Sequence, residues 1–343
     1  MSPAAPSVSS APRTSSAFAR AIVAGLTAEP KAVSPTWLYD RRGSELFEEI
    51  TELPEYYLTR AEIAVLEARA ADMAALIGPD ATLVEFGSGS SRKTPILLGA
   101  LERPRLYAPL DISTEMLLMA AEDMTRRFPD LVVAPQVVDL TRDFTADLAR
   151  LGGARKVGFF PGSTIGNFHP REAVRFLRRA QAALGRDALM IVGVDLQKDP
   201  ARLIPAYDDA AGVTAEFNKN LLRRINDELD GDFDLARFRH LVRYDDRAHR
   251  IEMHLASLCD QTVRAAGRSF AFRAGETIHT ENSYKFTIRS FQGLARLAGW
   301  RPVAFWRDPD DLFSVHLLRA DDADPADFEE TSDGQGSWPP DQG

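Results

Sequence analysis

The chain has 343 residues, 45% of them hydrophobic, a length that allows one or two domains with a sizeable core. Its single cysteine, Cys259, can form neither an intramolecular disulfide nor a thiolate zinc cluster. This excludes a disulfide-stapled secreted scaffold and a zinc finger, and favours a reducing cytoplasm. The formal charge is −9, but residues 321–343 hold eight acidic residues and no base, so the remainder is nearly neutral. A chain without basic excess is not expected to bind nucleic acid.

The two ends of the chain differ in composition from its body. The N-terminal stretch MSPAAPSVSSAPRTSSAFAR lacks both a basic start and an apolar run, so it resembles neither a signal peptide nor an anchor. No stretch reaches the roughly 20 apolar residues that span a bilayer, and no membrane association is expected. Low apolar content predicts disordered tails at residues 1–14 and 321–343, because too little surface is buried to offset the entropy of ordering.

The body of the chain begins with helical patterns and continues with alternating strands and helices. From residue 15 to about 77 apolar residues recur every three to four positions, as at Ile63, Leu66, Ala70 and Met73. Five short apolar runs then alternate with helical stretches, which predicts a parallel, doubly wound sheet. These runs are TLVEFGSGS, RLYAPLDIS, LVVAPQVVDL, KVGFFPGSTIGN and ALMIVGVDLQ.

Residues 200–285 interrupt the alternation. They contain a helical stretch and then two apparent strands, HRIEMHLASLCDQTVRAA and SFAFRAGETIHTE. Afterwards a helix leads into PVAFWRD and LFSVHLLRA, whose short connection suits an antiparallel pair. The sequence therefore predicts one open sheet with a smaller unit inserted after its fifth strand.

The residues at the strand ends indicate which cofactor the sheet holds, because ligands bind there in open parallel sheets. Gly-Ser-Gly at 87–89 follows the first strand, although such a turn often only tightens the connection. Arg92 stands where a dinucleotide fingerprint has its third glycine. Asp111 ends the second strand, where a carboxylate suits ribose hydroxyls, with helix capping as the alternative. With Asp139 placed for an adenine amino group, the pattern favours S-adenosylmethionine (SAM) over NAD.

The predicted fold class is α/β, a Rossmann-like class I SAM methyltransferase sheet with a second, smaller α+β substrate-binding domain. Residues 15–58 and 198–286 are assigned to the substrate-binding lid domain. Residues 59–197 and 287–320 are assigned to the SAM-binding domain.

Six stretches narrow the class of methyltransferase. The segment GSTIGN follows the fourth strand, where class I methyltransferases meet the group to be methylated. The other five stretches are LYDRRGSELFEEITELPEYYLTRAE, GSSRKTPILL, KDPARLIPAYDDAAGVTAEFNKN, FRHLVRYDDRAHRIEM and GETIHTENSYKF. Together, over roughly residues 36–320, these resemble the histidine Nα-methyltransferase family of ergothioneine biosynthesis. The resemblance implies SAM-dependent trimethylation of the α-amine of L-histidine to hercynine.

The resemblance also implies a set of site residues. A substrate pocket would be lined by Tyr57, Gly162, Asn167, Tyr207, Thr214, Met253, Glu281 and Ser283. SAM would be held by Gly87, Gly89, Lys93, Asp111, Asp139 and Leu140. Asn167 and Tyr207 would bind the substrate carboxylate. The Gly162 backbone and a water on Thr214 would place the amine. The chain departs from the commonest family pattern at Leu58, Asn282 and Tyr284.

The imidazole is assigned to Glu281 and Ser283. In an extended segment these two residues share one face, with Asn282 on the other. A carboxylate and a hydroxyl match the N–H groups of an imidazole, and such a polar site rejects side chains that leave it unpaired. The alternative is a surface ion pair of Glu281 with Lys285 or Arg289.

Several of these residues also have ordinary structural interpretations. Asn is a common turn residue, which would explain Asn167. Tyr57 and Tyr207 lie beside helical segments, where tyrosines are often half buried by packing. Lys93 could be a solvated lysine at the start of a helix. The six histidines lack the i, i+4 spacing of a metal-binding helix, so no metal is expected.

Transfer of a methyl group to an amine needs a neutral nitrogen aligned with the breaking bond, so positioning alone supplies much of the catalysis. A closed pocket beside a sulfonium lowers the pKa of the amine. We expect a monomer whose partner is the small-molecule substrate L-histidine. Three alternatives remain: a methyltransferase for tyrosine or tryptophan, a non-catalytic SAM-binding regulator, and a nicotinamide dehydrogenase.

Overall fold

A computed structural model describes residues 13–89, 92–140, 142–148, 151 and 155–321, without the side chains of residues 13–16 and 147. The helices are α1 (Arg13–Thr27), α2 (Arg41–Glu52), α3 (Tyr57–Ile77), α4 (Thr94–Ala100), α5 (Thr114–Arg127), α6 (Thr145–Leu148), α7 (Pro170–Leu184), α8 (Pro200–Leu203), α9 (Val213–Leu229) and α10 (Ile288–Leu297). None of these helices is long and apolar enough to cross a membrane.

The strands form one large sheet and two small ones. They are β1 (Thr82–Phe86), β2 (Leu106–Asp111), β3 (Val132–Val133), β4 (Gln136–Val137), β5 (Lys156–Phe160), β6 (Leu189–Asp195), β7 (Phe238–Asp245), β8 (Arg250–Ser257), β9 (Gln261–Ala265), β10 (Arg268–Phe272), β11 (Thr277–Tyr284), β12 (Trp300–Arg307) and β13 (Phe313–Ala320). Within the described residues the large sheet has the order β12-β13-β6-β5-β1-β2-β3, with β4 beside β2.

The large sheet has the predicted architecture. Strands β1 to β6 pair in parallel, and β13 joins them antiparallel to β6, with β12 antiparallel to β13. Helices cover both faces, with α3 against β13 and β6 and α7 against β5. The α/β fold class with an antiparallel closing pair is therefore confirmed.

Three predicted strands are each divided in the structure. The run 131–140 forms β3 and β4 instead of one strand, because Pro135 between them has no N–H to donate to the ladder. The runs 249–266 and 269–281 each break at a turn, into β8 with β9 and β10 with β11. Asp139 consequently lies two residues past β4 and does not end a strand.

The unit inserted after β6 carries the small sheets. Strands β11, β8 and β7 form an antiparallel sheet, and β9 pairs with β10. Helix α9 packs on this sheet and also on α2, which precedes the large sheet in the chain. The helical segment before β1 and the inserted unit are therefore in contact. The division of the chain into two domains stays a prediction.

The predicted disordered tails fall almost wholly outside the described residues. At the N-terminal side, α1 begins at Arg13, so the last two residues assigned to that tail belong to a helix. At the C-terminal side, Asp321 donates its backbone N–H to the carbonyl of Gly299. Residues 1–12 and 322–343 lie outside the described part of the chain.

Candidate active site

A cavity of about 290 Å³ lies beyond the carboxyl ends of β1, β2, β4 and β5. The register aligns these ends, with Phe86 opposite Leu110 and Glu85 opposite Phe159. The loops that follow the strands form one part of the wall. Residues of the helical segment before β1 and of the inserted unit form the other part. The cavity therefore lies where parallel α/β sheets bind ligands.

Every residue that the sequence assigned to the cofactor lines this cavity. These residues are Gly87, Gly89, Lys93, Asp111, Asp139 and Leu140. Ile112, Met116 and Val138 add apolar surface beside them, which suits a flat aromatic base. The donor set fits SAM, and the role of each residue in holding it stays a prediction.

Asp111, the last residue of β2, ties the glycine turn to the next helix. Its Oδ2 accepts a hydrogen bond from the N–H of Gly89 at 3.1 Å, and its Oδ1 accepts one from the N–H of Ser113 at 2.9 Å. Each carboxylate oxygen keeps a second lone pair. Asp111 can therefore support the backbone and still accept two neighbouring ribose hydroxyls.

Lys93 and Gly162 meet at one carboxylate below the cavity. Glu62 of α3 is fully buried, and its Oε2 lies 2.5 Å from Lys93 Nζ and accepts the N–H of Gly162 at 2.8 Å. Lys93 is thus an ion-paired residue rather than a solvated one. Because Glu62 takes the N–H of Gly162, only the carbonyl oxygen of Gly162 remains for a substrate amine.

Strand β11 presents Glu281 and Ser283 to the same cavity, and Asn282 points away to accept a hydrogen bond from His279 Nε2 at 3.0 Å. A bulge between His279 and Glu281 shifts the register against β8. The predicted period-two arrangement of Glu281 and Ser283 is therefore present. The alternative of a surface ion pair is wrong, since Glu281 is 6% exposed and Lys285 3%.

Glu281 is a buried acid with an incomplete set of hydrogen bonds. Its Oε2 has no hydrogen-bond partner among the described residues. Burial raises the pKa of Glu281 to about 8, against the opposing effects of the Lys285 cation and the Tyr39 hydroxyl. A buried oxygen without a partner is costly unless a ligand pairs with it. A protonated carboxyl donates its O–H and an ionised one accepts an N–H, so Glu281 is suited to a ligand ring that contains nitrogen.

Asn167, Tyr207 and Gly162 also line the cavity. Asn167 ends a short 3₁₀ turn, Thr164–Asn167, that follows β5. The hydroxyl of Tyr207 lies 2.7 Å from Ser283 Oγ and accepts a hydrogen bond from Lys285 Nζ at 2.8 Å. The residues predicted to bind the acid end and the ring of the substrate therefore face the same cavity.

Three predicted substrate residues do not line the cavity. Tyr57 points away from it, and its hydroxyl lies within 3.0 Å of both Asp195 oxygens and accepts from Lys198 at 2.8 Å. Its neighbour Tyr56 lines the cavity instead. Successive side chains at a helix start point about 100° apart, so Tyr56 and Tyr57 face different surroundings although they are adjacent in the chain. The other two residues outside the lining are Thr214, which is buried in α9, and Met253, which lies in β8 and pairs with Glu281 of β11.

An aromatic wall is the first feature that the sequence analysis missed. Tyr39, Phe47 and Tyr56 line the cavity, with ring centroids 5.6 Å apart for Tyr39 and Phe47 and 6.2 Å for Phe47 and Tyr56. Aromatic faces attract cations. No local pattern separates these rings from ordinary core aromatics, because Phe47 occupies a regular position of an amphipathic helix.

Two buried charges were also missed, and both had a signal in the sequence. Glu62 follows Leu58 by four residues and precedes Leu66 by four, so a carboxylate stands on the buried stripe of α3. Lys285 continues the period-two face of Glu281 and Ser283. A charge in register with buried positions indicates an internal partner, because an unpaired buried charge is costly.

A parallel sheet closed by an antiparallel pair, a glycine turn after β1 and a carboxylate at the end of β2 define a class I SAM-dependent methyltransferase. The chain belongs to the family of SAM-dependent, histidine-specific methyltransferases, which matches residues 18–320. The resemblance drawn from the sequence motifs is therefore confirmed.

Three relatives illustrate the similarity. The chain is 40% identical over 307 residues to histidine N-alpha-methyltransferase of Mycolicibacterium smegmatis and 39% identical over 306 residues to that of Mycobacterium tuberculosis. Each match covers 88% of this chain and 94% of the relative. It is also 32% identical over 299 residues to ergothioneine biosynthesis protein 1 of Neurospora crassa, covering 84% of this chain and 33% of that protein.

Proposed function

We propose that this protein transfers three methyl groups from SAM to the α-amino nitrogen of L-histidine, forming hercynine in the ergothioneine pathway. The observation that carries the proposal is Glu281, a buried carboxyl group with an orphaned oxygen in the same cavity as the glycine turn after β1. Two bacterial relatives are named histidine N-alpha-methyltransferase, which supports the same reaction.

Glu281 and Ser283 are proposed to bind the imidazole. Both face the cavity from β11, and both are buried, at 6% and 3% exposure. Water therefore competes poorly for their hydrogen bonds. A hydrocarbon ring would leave the Glu281 carboxyl without a hydrogen-bond partner. One such unpaired buried group disfavours the substrate by about 1–3 kcal/mol.

Asn167 and Tyr207 are proposed to bind the carboxylate of the amino acid. An amide N–H and a phenolic O–H are both donors to a carboxylate. Lys285 lies behind Tyr207 and is positively charged when all three of its hydrogen bonds are made. A fixed positive charge behind the two donors favours an anionic group at this end of the substrate.

The amine is proposed to lie between the Gly162 carbonyl and the aromatic wall of Tyr39, Phe47 and Tyr56. Gly162 has a φ of +79°, which suits glycine, and its N–H is held by Glu62. An amine that gains methyl groups loses its N–H donors, so it cannot depend on several hydrogen bonds. Aromatic faces hold a methylated cation without donors, which is consistent with three transfers to one nitrogen.

Bound SAM supplies an electrophilic methyl group on a positively charged sulfur. We propose that Asp111 accepts the ribose hydroxyls, that Lys93 meets the carboxylate of SAM, and that Gly87, Gly89, Asp139 and Leu140 complete the site. We propose that the walls of the cavity limit the access of water to the bound amine. A nearby positive charge and burial both lower the pKa of that amine, so no dedicated strong base is needed.

We also propose the domain division that the sequence indicated, 15–58 with 198–286 and 59–197 with 287–320. Tyr39 and Phe47 belong to the first segment of the substrate-binding unit, and Tyr207 and Glu281 to the second. The proposed cofactor residues belong to the other unit. Since one chain supplies both sets, we propose that the protein acts as a monomer.

The test is incubation with SAM and each of the twenty amino acids, followed over time by mass spectrometry. We expect mono- and dimethylhistidine to appear and convert to the trimethyl betaine. Glu281→Gln should lower kcat/KM for histidine by about 100-fold with SAM affinity unchanged, whereas Asn167→Ala should raise KM for every amino acid tested. Preference for tyrosine or tryptophan, or binding of SAM with no amino acid methylated, would overturn the proposal.

A further inference from the structure

A buried ammonium group lies directly behind the substrate end of the cavity. Lys285 follows Ser283 by two residues in the chain, and its side chain is 0% exposed. Its Nζ donates to Asp195 Oδ2 at 2.7 Å, to the Tyr207 hydroxyl at 2.8 Å and to Ser283 Oγ at 2.7 Å. All three donors of a lysine ammonium are therefore used inside the protein.

The two hydroxyls that Lys285 contacts also contact each other. Tyr207 and Ser283 have their oxygens 2.7 Å apart, so one of the two must donate to the other. Each also accepts a hydrogen bond from Lys285. The pair therefore has one O–H left for the cavity, on Tyr207 or on Ser283 but never on both.

A carboxylate bound at Tyr207 favours the arrangement in which the O–H of Tyr207, and not that of Ser283, points to the cavity. It accepts the O–H of Tyr207, and Ser283 must then donate to Tyr207 to preserve the 2.7 Å contact. Ser283 has accepted one hydrogen bond and donated one, so it offers the cavity only its second lone pair. A ring beside Ser283 must consequently supply an N–H.

We propose that Lys285 is a positioning residue that sets substrate specificity, by orienting the Tyr207 and Ser283 hydroxyls so that Ser283 accepts an N–H from the ring. The inference rests on the proposed binding of the amino-acid carboxylate at Tyr207. Lys285 makes this orientation rigid, because a single nitrogen holds both oxygens within hydrogen-bond distance. Without it, Ser283 could separate from Tyr207 and turn its own O–H toward the ring.

Asp195 anchors Lys285 in turn. It ends β6, its side chain is 0% exposed, and its other oxygen lies 2.6 Å from Lys198 Nζ. Burial lowers the pKa of Lys285, and the Asp195 carboxylate opposes that effect. Lys198 therefore shares the same counterion as Lys285, yet none of its hydrogen bonds reaches Tyr207 or Ser283.

The test compares L-histidine with L-thiazolylalanine, whose five-membered ring has a nitrogen lone pair and no N–H. The wild-type protein should prefer histidine by about 100-fold or more in kcat/KM, because thiazolylalanine leaves Ser283 unpaired. Lys285→Met frees Ser283 to donate to the thiazole nitrogen, so we expect the ratio of the two kcat/KM values to fall at least tenfold. A purely structural role would lower both values together and leave the ratio unchanged.

Lys198→Met is the matched control, because it removes the other buried ammonium from Asp195 and should leave the ratio as in the wild type. Tyr207→Phe is the second variant, and SAM binding checks that each variant is folded. In Tyr207→Phe, Ser283 has no tyrosine oxygen to donate to, so the ratio should also fall even if Lys285→Met does not fold. An unchanged ratio in Tyr207→Phe and in folded Lys285→Met, or an equal fall in Lys198→Met, would overturn the inference. A wild-type protein that methylates no histidine would instead overturn the proposed function.

Discussion

Glu62 of α3 accepts the backbone N–H of Gly162 at 2.8 Å, across 100 residues of sequence. The same carboxylate oxygen lies 2.5 Å from Lys93, in the loop proposed to hold SAM. One fully buried side chain thus supports both the cofactor loop and the loop proposed to meet the substrate amine. We therefore expect the spacing between the methyl donor and the amine to depend on the position of Glu62.

Glu62→Ala is therefore expected to impair folding and catalysis together. Removing one partner of a buried ion pair costs about 3–5 kcal/mol, because Lys93 and the Gly162 N–H lose their acceptor. Chemical denaturation should show this loss in the free energy of unfolding. We expect kcat/KM to fall by about 100-fold in the variant that remains folded. A variant of wild-type stability would contradict the support role.

Gly193→Ala tests the same carboxylate from β6, a strand against which α3 packs. A Cβ at residue 193 would overlap Glu62 Oε1, so the substitution should destabilise the protein by about 1–3 kcal/mol. In the Glu62→Ala background the overlap with the carboxylate disappears, and only a tight contact of 3.1 Å with Phe313 Cε1 remains. We expect the cost of Gly193→Ala to be clearly smaller there, as measured by a double-mutant cycle in chemical denaturation. Additive costs would show that the two residues do not meet.

The raised pKa of Glu281 predicts a pH dependence of stability. Its pKa is about 8 in the native chain and about 4.5 ordinarily, so between these values the native state holds a proton that the unfolded state has released. The free energy of unfolding therefore falls as the pH rises through this window. Glu281→Gln does not titrate. Its stability relative to the wild type should rise by about 3–5 kcal/mol between pH 4.5 and 8.5, measured by denaturation without ligands. A difference that does not vary with pH would contradict this expectation.

The two adjacent tyrosines should differ in their effects. Tyr57→Phe removes a hydroxyl buried against Asp195 and Lys198, and should cost about 1–2 kcal/mol of stability with little change in KM for histidine. Tyr56→Leu should leave stability closer to the wild type and slow the last methyl transfer, because part of the aromatic wall is lost. Product ratios by mass spectrometry separate the two variants. Equal product ratios would contradict the assignment of Tyr56 to the cavity.

Asp111→Ala should weaken SAM binding by about 10- to 100-fold in calorimetry, since it removes an acceptor and frees the N–H of Gly89. Asp123→Ala is the control, because this half-buried acid of α5 pairs with Arg126 and Arg127; the variant should bind SAM as the wild type does. Equal affinity in the two variants would remove Asp111 from the proposed cofactor site.

Local sequence signals predicted much of this protein. Alternating apolar runs and helical stretches determined the parallel sheet, since strand and helix periods are properties of short segments. Glycines and acids at strand ends indicated the edge of the sheet where the cavity lies, because parallel strands bring their carboxyl ends together. Period two in β11 placed Glu281 and Ser283 on one face. These features depend on residues a few positions apart.

Only the tertiary structure determined which neighbouring residue enters the cavity and which buried charges meet. Tyr56 and Tyr57 differ by one helical position, and the sequence contains no local feature that chooses between them. Glu62 meets Gly162, and Asp195 meets Lys285, through contacts between segments about 90 to 100 residues apart. Such contacts exist because packing α3 and the inserted unit against the large sheet removes water from charged groups, which then require partners.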